Sequence, residues 1–99
     1  MAYVASIGIA WYREADYETL KSVFVDGHLL PPTYNQWLKM AEDGRKQFIG
    51  DGYLVVQAYI DPETFPDWCR DKGLKVDANA RTQFGAIESH KVWEKTNKC

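Results

Sequence analysis

Apolar and polar residues alternate in two stretches of the chain, and each stretch has the composition of a β-strand. In residues 3–12 the more apolar face of such a strand holds Tyr3, Ala5, Ile7, Ile9 and Trp11. In residues 53–60 the apolar face holds Leu54, Val56, Ala58 and Ile60, and the more polar face holds Tyr53, Val55, Gln57 and Tyr59. Alternation carried by β-branched and aromatic residues is typical of half-buried strands.

Two helices are predicted after the first strand, because apolar residues recur there at helical spacing. The first covers residues 17–25, with Asp16 as its cap and Gly27 as a left-handed residue at its end. The second begins at a capping box, in which Thr33 is the cap and Gln36 lies three residues further on. This helix ends at Gly44 or continues to residue 49.

Two more helices are predicted after the second strand. The third helix begins at Asp61 or Thr64 and ends at Gly73. The fourth begins at Asp77 or Asn79 and runs to residue 93 or 94. The sequence therefore predicts one α+β domain over residues 1–95, with the order β-α-α-β-α-α, a two-stranded sheet, four packed helices and a disordered tail at residues 96–99.

The two halves of this pattern match when the chain is shifted by 47 residues, so that Tyr12 aligns with Tyr59. The same shift places Ile7 and Ile9 on Leu54 and Val56, which are the apolar faces of the two strands. The match favours a tandem βαα repeat with the strands side by side, and chance similarity is the alternative. The direction of strand pairing is left open.

The composition fits a soluble globular protein: 45% of the 99 residues are hydrophobic and 14% are aromatic. The formal net charge is -2 with both signs interspersed, so we expect no nucleic-acid partner. No apolar run approaches the roughly 20 residues of a spanning helix, so we expect no membrane partner. Two cysteines and an N-terminus without a signal-peptide pattern predict a cytoplasmic protein.

Charged residues directly after each predicted strand are the candidates for ligand binding: Arg13, Glu14, Asp16, Asp61 and Glu63. Arg13 would bind an anion, and a carboxylate would act as a general base if the acids lie close together and partly buried. The alternative is that Asp16 and Asp61 only cap helices. We expect no catalytic residue, metal or cofactor, because no metal-ligand spacing and no phosphate-binding loop is present.

A thiol–imidazole pair of Cys69 with His28 or His90 is a weaker candidate. Cys69 shares a helical stripe with Phe65, which favours a buried, inert thiol. For His90, which flanks the inward face of the last helix, partial burial or a pair with Glu94 is the simpler interpretation, and for His28 it is a position in a surface loop.

Aromatic residues exceed what two small apolar faces need, and tyrosine and tryptophan are common interface anchors. The interface candidates are Tyr12, Tyr53, Val55, Gln57, Tyr59 and Trp93. A two-stranded sheet also leaves two open edges, which a homodimer would close. We therefore expect a non-catalytic domain for protein–protein interaction or self-association; the alternative is a small enzyme or anion-binding protein with its site at the strand ends.

Four segments support a resemblance that covers nearly the whole chain: IGIAWYREADY at residues 7–17, LPPTYNQWLKMAE at 30–42, DPETFPDWCRDKGL at 61–74 and DANARTQF at 77–84. Together they resemble a family of small bacterial proteins of about this length and of unknown function. The resemblance implies a bacterial origin and a cytoplasmic setting. It implies no activity and no catalytic residues.

Overall fold

The computed structural model describes residues 3–96. The elements are β1 (Ser6–Trp11), α1 (Tyr17–Val23), α2 (Tyr34–Gly50), β2 (Leu54–Tyr59), α3 (Phe65–Asp71) and α4 (Ala78–Thr96), with 3-10 turns at Glu14–Asp16 and Gly27–Leu29. The predicted order is confirmed, and the fold is α+β with 59% helix and 13% strand. No helix in residues 3–96 combines the length and the apolar character needed to cross a bilayer.

The two strands are parallel, and α1 and α2 form the crossover connection that a parallel pair needs. Ile7 lies opposite Val55, and Ile9 lies opposite Gln57. Because opposite residues in a ladder project to the same face, Ile7 and Leu54 project to opposite faces. The apolar faces predicted for the two strands therefore lie on opposite sides of the sheet, and the tandem βαα repeat stays a prediction.

Helix α2 covers part of one face of the sheet, with Trp37 packed against Trp11 at a ring distance of 5.2 Å, while Gln57 and Tyr59 on the same face stay exposed. Its predicted capping box is confirmed: the Gln36 amide donates to Thr33 Oγ1, and the Thr33 amide donates to Gln36 Oε1. The helix continues through Gly44 to Gly50. The long helix positions β2 beside β1, and the turn before β2 uses Gly52 with a φ of 95°.

Helix α4 lies on the other face and approaches β1 closely, because glycines meet at the contact. A Cβ atom on Gly8 would lie 1.8 Å from the Gly85 carbonyl oxygen, and a Cβ atom on Gly85 would lie 2.7 Å from the Gly8 carbonyl oxygen. Any side chain at either position would push the helix from the sheet. The close neighbour of Gly8 is thus a helix backbone.

The core lies where α1, α3 and α4 meet the carboxyl ends of the strands. Its fully buried members include Tyr17, Leu20, Ile60 and Cys69. An ion pair ties α4 to the segment after α1: Arg81 donates from both terminal nitrogens to the two oxygens of Asp26, at 2.8 and 2.9 Å. This pair joins residues that are far apart in the chain, and no sequence pattern indicated it.

Helix α1 ends two residues earlier than predicted, because Phe24 is already extended and the amide of residue 25 donates to the carbonyl of Val76. The predicted left-handed conformation of Gly27 is wrong, since only Gly52 and Gly73 have positive φ among the described residues. Gly27 is instead required by space, because a Cβ atom there would lie 1.8 Å from the Lys21 carbonyl oxygen.

Candidate interaction site

The charged residues after the strands gather at one end of the sheet, because parallel strands end at the same edge. Their side chains lie on the surface: only Asp16 is half-buried, and Arg13, Glu14, Asp61 and Glu63 are exposed. Exposed carboxylates in water do not supply the partly buried pair that acid–base chemistry requires. Within residues 3–96, no group of three or more histidine, cysteine or acidic residues has the geometry of a metal site.

Two of the strand-end residues have identifiable contacts. The guanidinium carbon of Arg13 lies 4.6 Å from the centroid of the Tyr59 ring, which is a cation–π contact. The Asp61 carboxylate accepts a hydrogen bond from the Glu63 amide at 2.8 Å, so it organises the turn before α3. Asp16 occupies the cap position of α1 without a side-chain capping bond, and the predicted capping role of its carboxylate is wrong.

The predicted interface residues divide into buried, half-buried and exposed members, and Val55 is one of the half-buried ones. Tyr12 is only 3% exposed and lies in the core, where burial raises its pKa to about 12. Tyr53 is half-buried against Phe48, and Trp93 is half-buried and engaged in a contact within the chain. Gln57 and Tyr59 remain exposed, and the Tyr59 side chain keeps 44% of its surface in solvent.

Cys69 has the environment of a structural thiol. It is 0% exposed, and burial, followed by the nearby charge of Asp77, raises the pKa of its thiol. A raised pKa disfavours the thiolate, which is the reactive form. His90 pairs with Glu94 at 2.9 Å on the exposed side of α4, and His28 is exposed. These residues therefore do not form a nucleophilic site.

A groove of about 340 Å³ lies beside β1. Its floor is formed by residues 7–10 of β1, one wall by Phe48 at the end of α2, and the other wall by Ala78, Arg81 and Thr82 at the start of α4. The groove therefore lies between the two helical layers. Its lining is apolar except at Arg81 and Thr82, and Arg81 is held by Asp26 in a bidentate ion pair.

The backbone of β1 points into this space at every second residue. The carbonyls of Ala5 and Trp11 accept hydrogen bonds from β2 and the residue after it, which places the backbone groups of odd-numbered residues toward β2. By the same alternation, Ser6, Gly8 and Ala10 direct their amides and carbonyls to the open edge. Within residues 3–96, none of the hydrogen bonds outside the helices and the β1–β2 ladder uses these groups.

The open edge has defined ends. At the upper end, the Tyr34 hydroxyl donates to the carbonyl of Tyr12 at 3.1 Å. At the lower end, the Val4 amide turns inward and donates to the Gly52 carbonyl. The edge that remains spans residues 6–10; the sequence predicted open sheet edges that another chain could pair with, and it did not indicate that this edge lies in a groove. One signal was present: no proline or charged residue, which usually protect an edge strand, occurs in β1.

The geometry thus defines a small α+β domain with an unprotected strand edge at the bottom of an apolar groove. Comparisons with protein-family models, with curated proteins and with solved structures found no match to this chain. The resemblance to small bacterial proteins therefore stays a prediction.

Proposed function

We propose that this chain is a non-catalytic domain for protein–protein interaction and that its contact site is the groove beside β1. The observation that carries the proposal is the open edge, where the amides and carbonyls of Ser6, Gly8 and Ala10 point away from β2 beside a groove with a mostly apolar lining. Unpaired strand edges are templates for pairing with another chain, and a protein usually protects an edge that it does not use.

The alternative functions have less physical support. Catalysis needs a group whose reactivity is raised by its surroundings. The buried thiol of Cys69 has its pKa shifted away from reactivity, and the strand-end carboxylates are in contact with water. A site for hydrogen bonding between backbones needs no such group, and it agrees with the apolar lining of the groove.

A displayed library of random linear peptides tests the proposal, with the wild-type domain and two variants as bait. Thr82→Arg places a long charged side chain in the wall of the groove. Gln83→Arg makes the same chemical change at the next position of α4, which is exposed and lies outside the groove lining. Wild type and Gln83→Arg should enrich the same binders, and Thr82→Arg should lose them. A wild-type domain that enriches no binder, or a Thr82→Arg variant that keeps them, would oppose the proposal.

Self-association is a related proposal, which rests on the exposed side chains of Gln57 and Tyr59. Light scattering over a range of protein concentrations tests it. A dimer that Tyr59→Asp dissociates would support this contact, and a monomer at every concentration would exclude it.

Anion binding at the strand ends is a second candidate, and one observation favours it. The Arg13 guanidinium is stacked on Tyr59 and, among the described residues, has no acidic partner within ion-pair distance. Inorganic phosphate and simple carboxylates should then raise the melting temperature of wild type and not that of Arg13→Ala. Equal melting temperatures with and without these anions would remove this candidate.

A further inference from the structure

We infer that the groove binds a single extended, uncharged peptide segment of a partner protein, which pairs with the open edge of β1 as a third strand. This inference rests on the proposed interaction function and specifies the partner at the same site. The edge offers three residues with free backbone groups, Ser6, Gly8 and Ala10, and a strand of similar length satisfies all of them. The volume of about 340 Å³ lies at the small end for ligand clefts, which suits a segment of a few residues.

A second copy of the chain does not fit this edge. Two β1 strands paired edge to edge would lie about 5 Å apart, and their twofold axis would place both copies of α4 on the same face of the sheet. Helix α4 lies directly over β1, because the Gly85 and Gly8 backbones are in contact. The two α4 helices would then be about 5 Å apart near the axis, whereas packed helices need about 8–10 Å. A peptide without a flanking helix avoids this clash.

The charges in the groove lining favour an uncharged segment. Arg81 is the charged residue in the groove lining, its side chain is 12% exposed, and both of its terminal nitrogens donate to Asp26. The Arg81 charge is therefore compensated within the domain. An acidic side chain in the groove would have to compete with Asp26, and a basic one would meet an occupied carboxylate.

The two walls determine the order of side chains in the bound segment. Peptide residues paired with Gly8 and Ala10 project toward Ala78, Arg81 and Thr82 of α4, and because α4 lies close to β1, small residues such as alanine, glycine or serine fit best there. The residues between them project toward Ile7, Ile9 and Phe48, where valine, isoleucine or leucine can pack. The segment therefore alternates small and large apolar residues, and the small residues direct their backbone amides into the groove.

Three synthetic peptides test this inference by nuclear magnetic resonance on the isotope-labelled full chain. The first is an acetylated and amidated heptapeptide, Thr-Val-Ala-Val-Ala-Val-Thr. The second carries N-methyl groups on both alanine amides, which face β1 in the bound form, and the third carries them on two valine amides, which face away. We expect the first and third peptides to shift the amide signals of Ser6, Gly8 and Ala10 and to slow their hydrogen exchange. The second peptide should bind at least tenfold more weakly.

The outcomes separate the inference from the function on which it rests. Equal binding of the two N-methylated peptides, shifts confined to other parts of the domain, or no shifts at all would overturn the inference. If Thr82→Arg abolishes binding of the library peptides but the alternating heptapeptide does not bind, the proposed interaction function is supported and the extended-strand partner is wrong. If the Ser6, Gly8 and Ala10 amides become protected on concentrating the domain alone, the occupant is a second copy. If neither the library peptides nor the synthetic peptides bind, both the interaction function and the extended-strand partner are wrong.

Discussion

The contact between Gly8 on β1 and Gly85 on α4 sets the distance between helix and sheet, and Gly8→Ala tests it directly. The new Cβ atom would lie 1.8 Å from the Gly85 carbonyl oxygen, whereas real Cβ atoms essentially never approach another atom within 3.0 Å. The obstacle is a helix backbone, which cannot rotate away as a side chain can. The helix or the strand must therefore move until the separation has grown from 1.8 Å to at least 3.0 Å.

This movement is costly because α4 is packed tightly along the sheet, where Ala80, Gly85 and Ser89 are buried. Overpacking by a methyl group typically costs about 1–3 kcal/mol. With backbone on both sides of the clash, we expect Gly8→Ala to lower the free energy of unfolding by about 3 kcal/mol or more. That is a large part of the total stability of a small domain, which starts at about 5 kcal/mol.

Gly85→Ala makes the same chemical change on the other side of the contact and should cost less. Its Cβ atom would lie 2.7 Å from the Gly8 carbonyl oxygen, so a smaller movement suffices. Alanine also favours the helix over glycine by about 1 kcal/mol. We expect the free energy of unfolding to fall by about 1 kcal/mol in this variant.

Urea unfolding followed by circular dichroism measures these differences, with Gly44→Ala as the control. Gly44 lies within α2, and a Cβ atom added there would have no neighbour within 4 Å, so alanine should stabilise the domain by about 0.5–1 kcal/mol. If Gly8→Ala changed the free energy of unfolding by less than about 1 kcal/mol, or by less than Gly85→Ala, the argument from close backbone contact would be refuted.

Other variants test the ion pair, the capping box and the buried thiol. Asp26→Asn leaves the largely buried Arg81 without its counter-charge and should lower the free energy of unfolding by about 2–4 kcal/mol at neutral pH. The hydrogen bond from Arg81 lowers the pKa of Asp26. The extra free energy of unfolding of the wild type over Asp26→Asn should therefore be complete above the ordinary aspartate pKa and be lost as the pH falls through the lowered pKa. Urea unfolding at several pH values measures this difference. Thr33→Ala should cost about 1 kcal/mol by the same measurement, and Thr64→Ala, a cap without a side-chain bond, should cost close to nothing. In a chain whose terminal cysteine is replaced by serine, a thiol reagent should modify Cys69 only after unfolding, because its side chain is 0% exposed.

Each of these expectations has a clear contrary result. Identical pH dependence in wild type and Asp26→Asn would mean that the Asp26 carboxylate does not stabilise the folded state. Equal losses in Thr33→Ala and Thr64→Ala would mean that the capping bonds contribute nothing beyond the threonine side chain. Rapid and complete modification of the folded protein would show that solvent reaches Cys69.

Local signals in the sequence were enough for the elements and their order. The pairing of Thr33 with Gln36 predicted the start of α2 correctly, because both capping bonds form between residues three apart. Gly73, with a φ of 71°, ends α3 where predicted, since a left-handed residue is a property of its own backbone. Alternation of apolar residues located both strands, and of the two alternatives predicted for His90 the structure has the pair with Glu94 rather than partial burial.

Predictions that depended on distant contacts succeeded less well. Tyr12 was assigned to an interface and lies in the core, because the helices that cover it come from remote parts of the chain. Asp26 meets Arg81 across 55 residues, a pairing that no local pattern encodes. The groove beside β1 was missed for the same reason: its walls come from α2 and α4, and its floor from a third segment.

Periodicity, caps and glycine stops act over a few residues, so the order of residues along the chain was sufficient to specify an α+β fold of two strands and four helices. The parallel register, the contact of Gly8 with Gly85 and the open edge of β1 became known only when the packed elements were seen together. A shift of the register by one residue exchanges the two faces of a strand, and packing across the whole domain determines which register forms. The candidate site depends on packing in the same way, because the edge of β1 that pairs with β2 determines which backbone groups are left to face the groove.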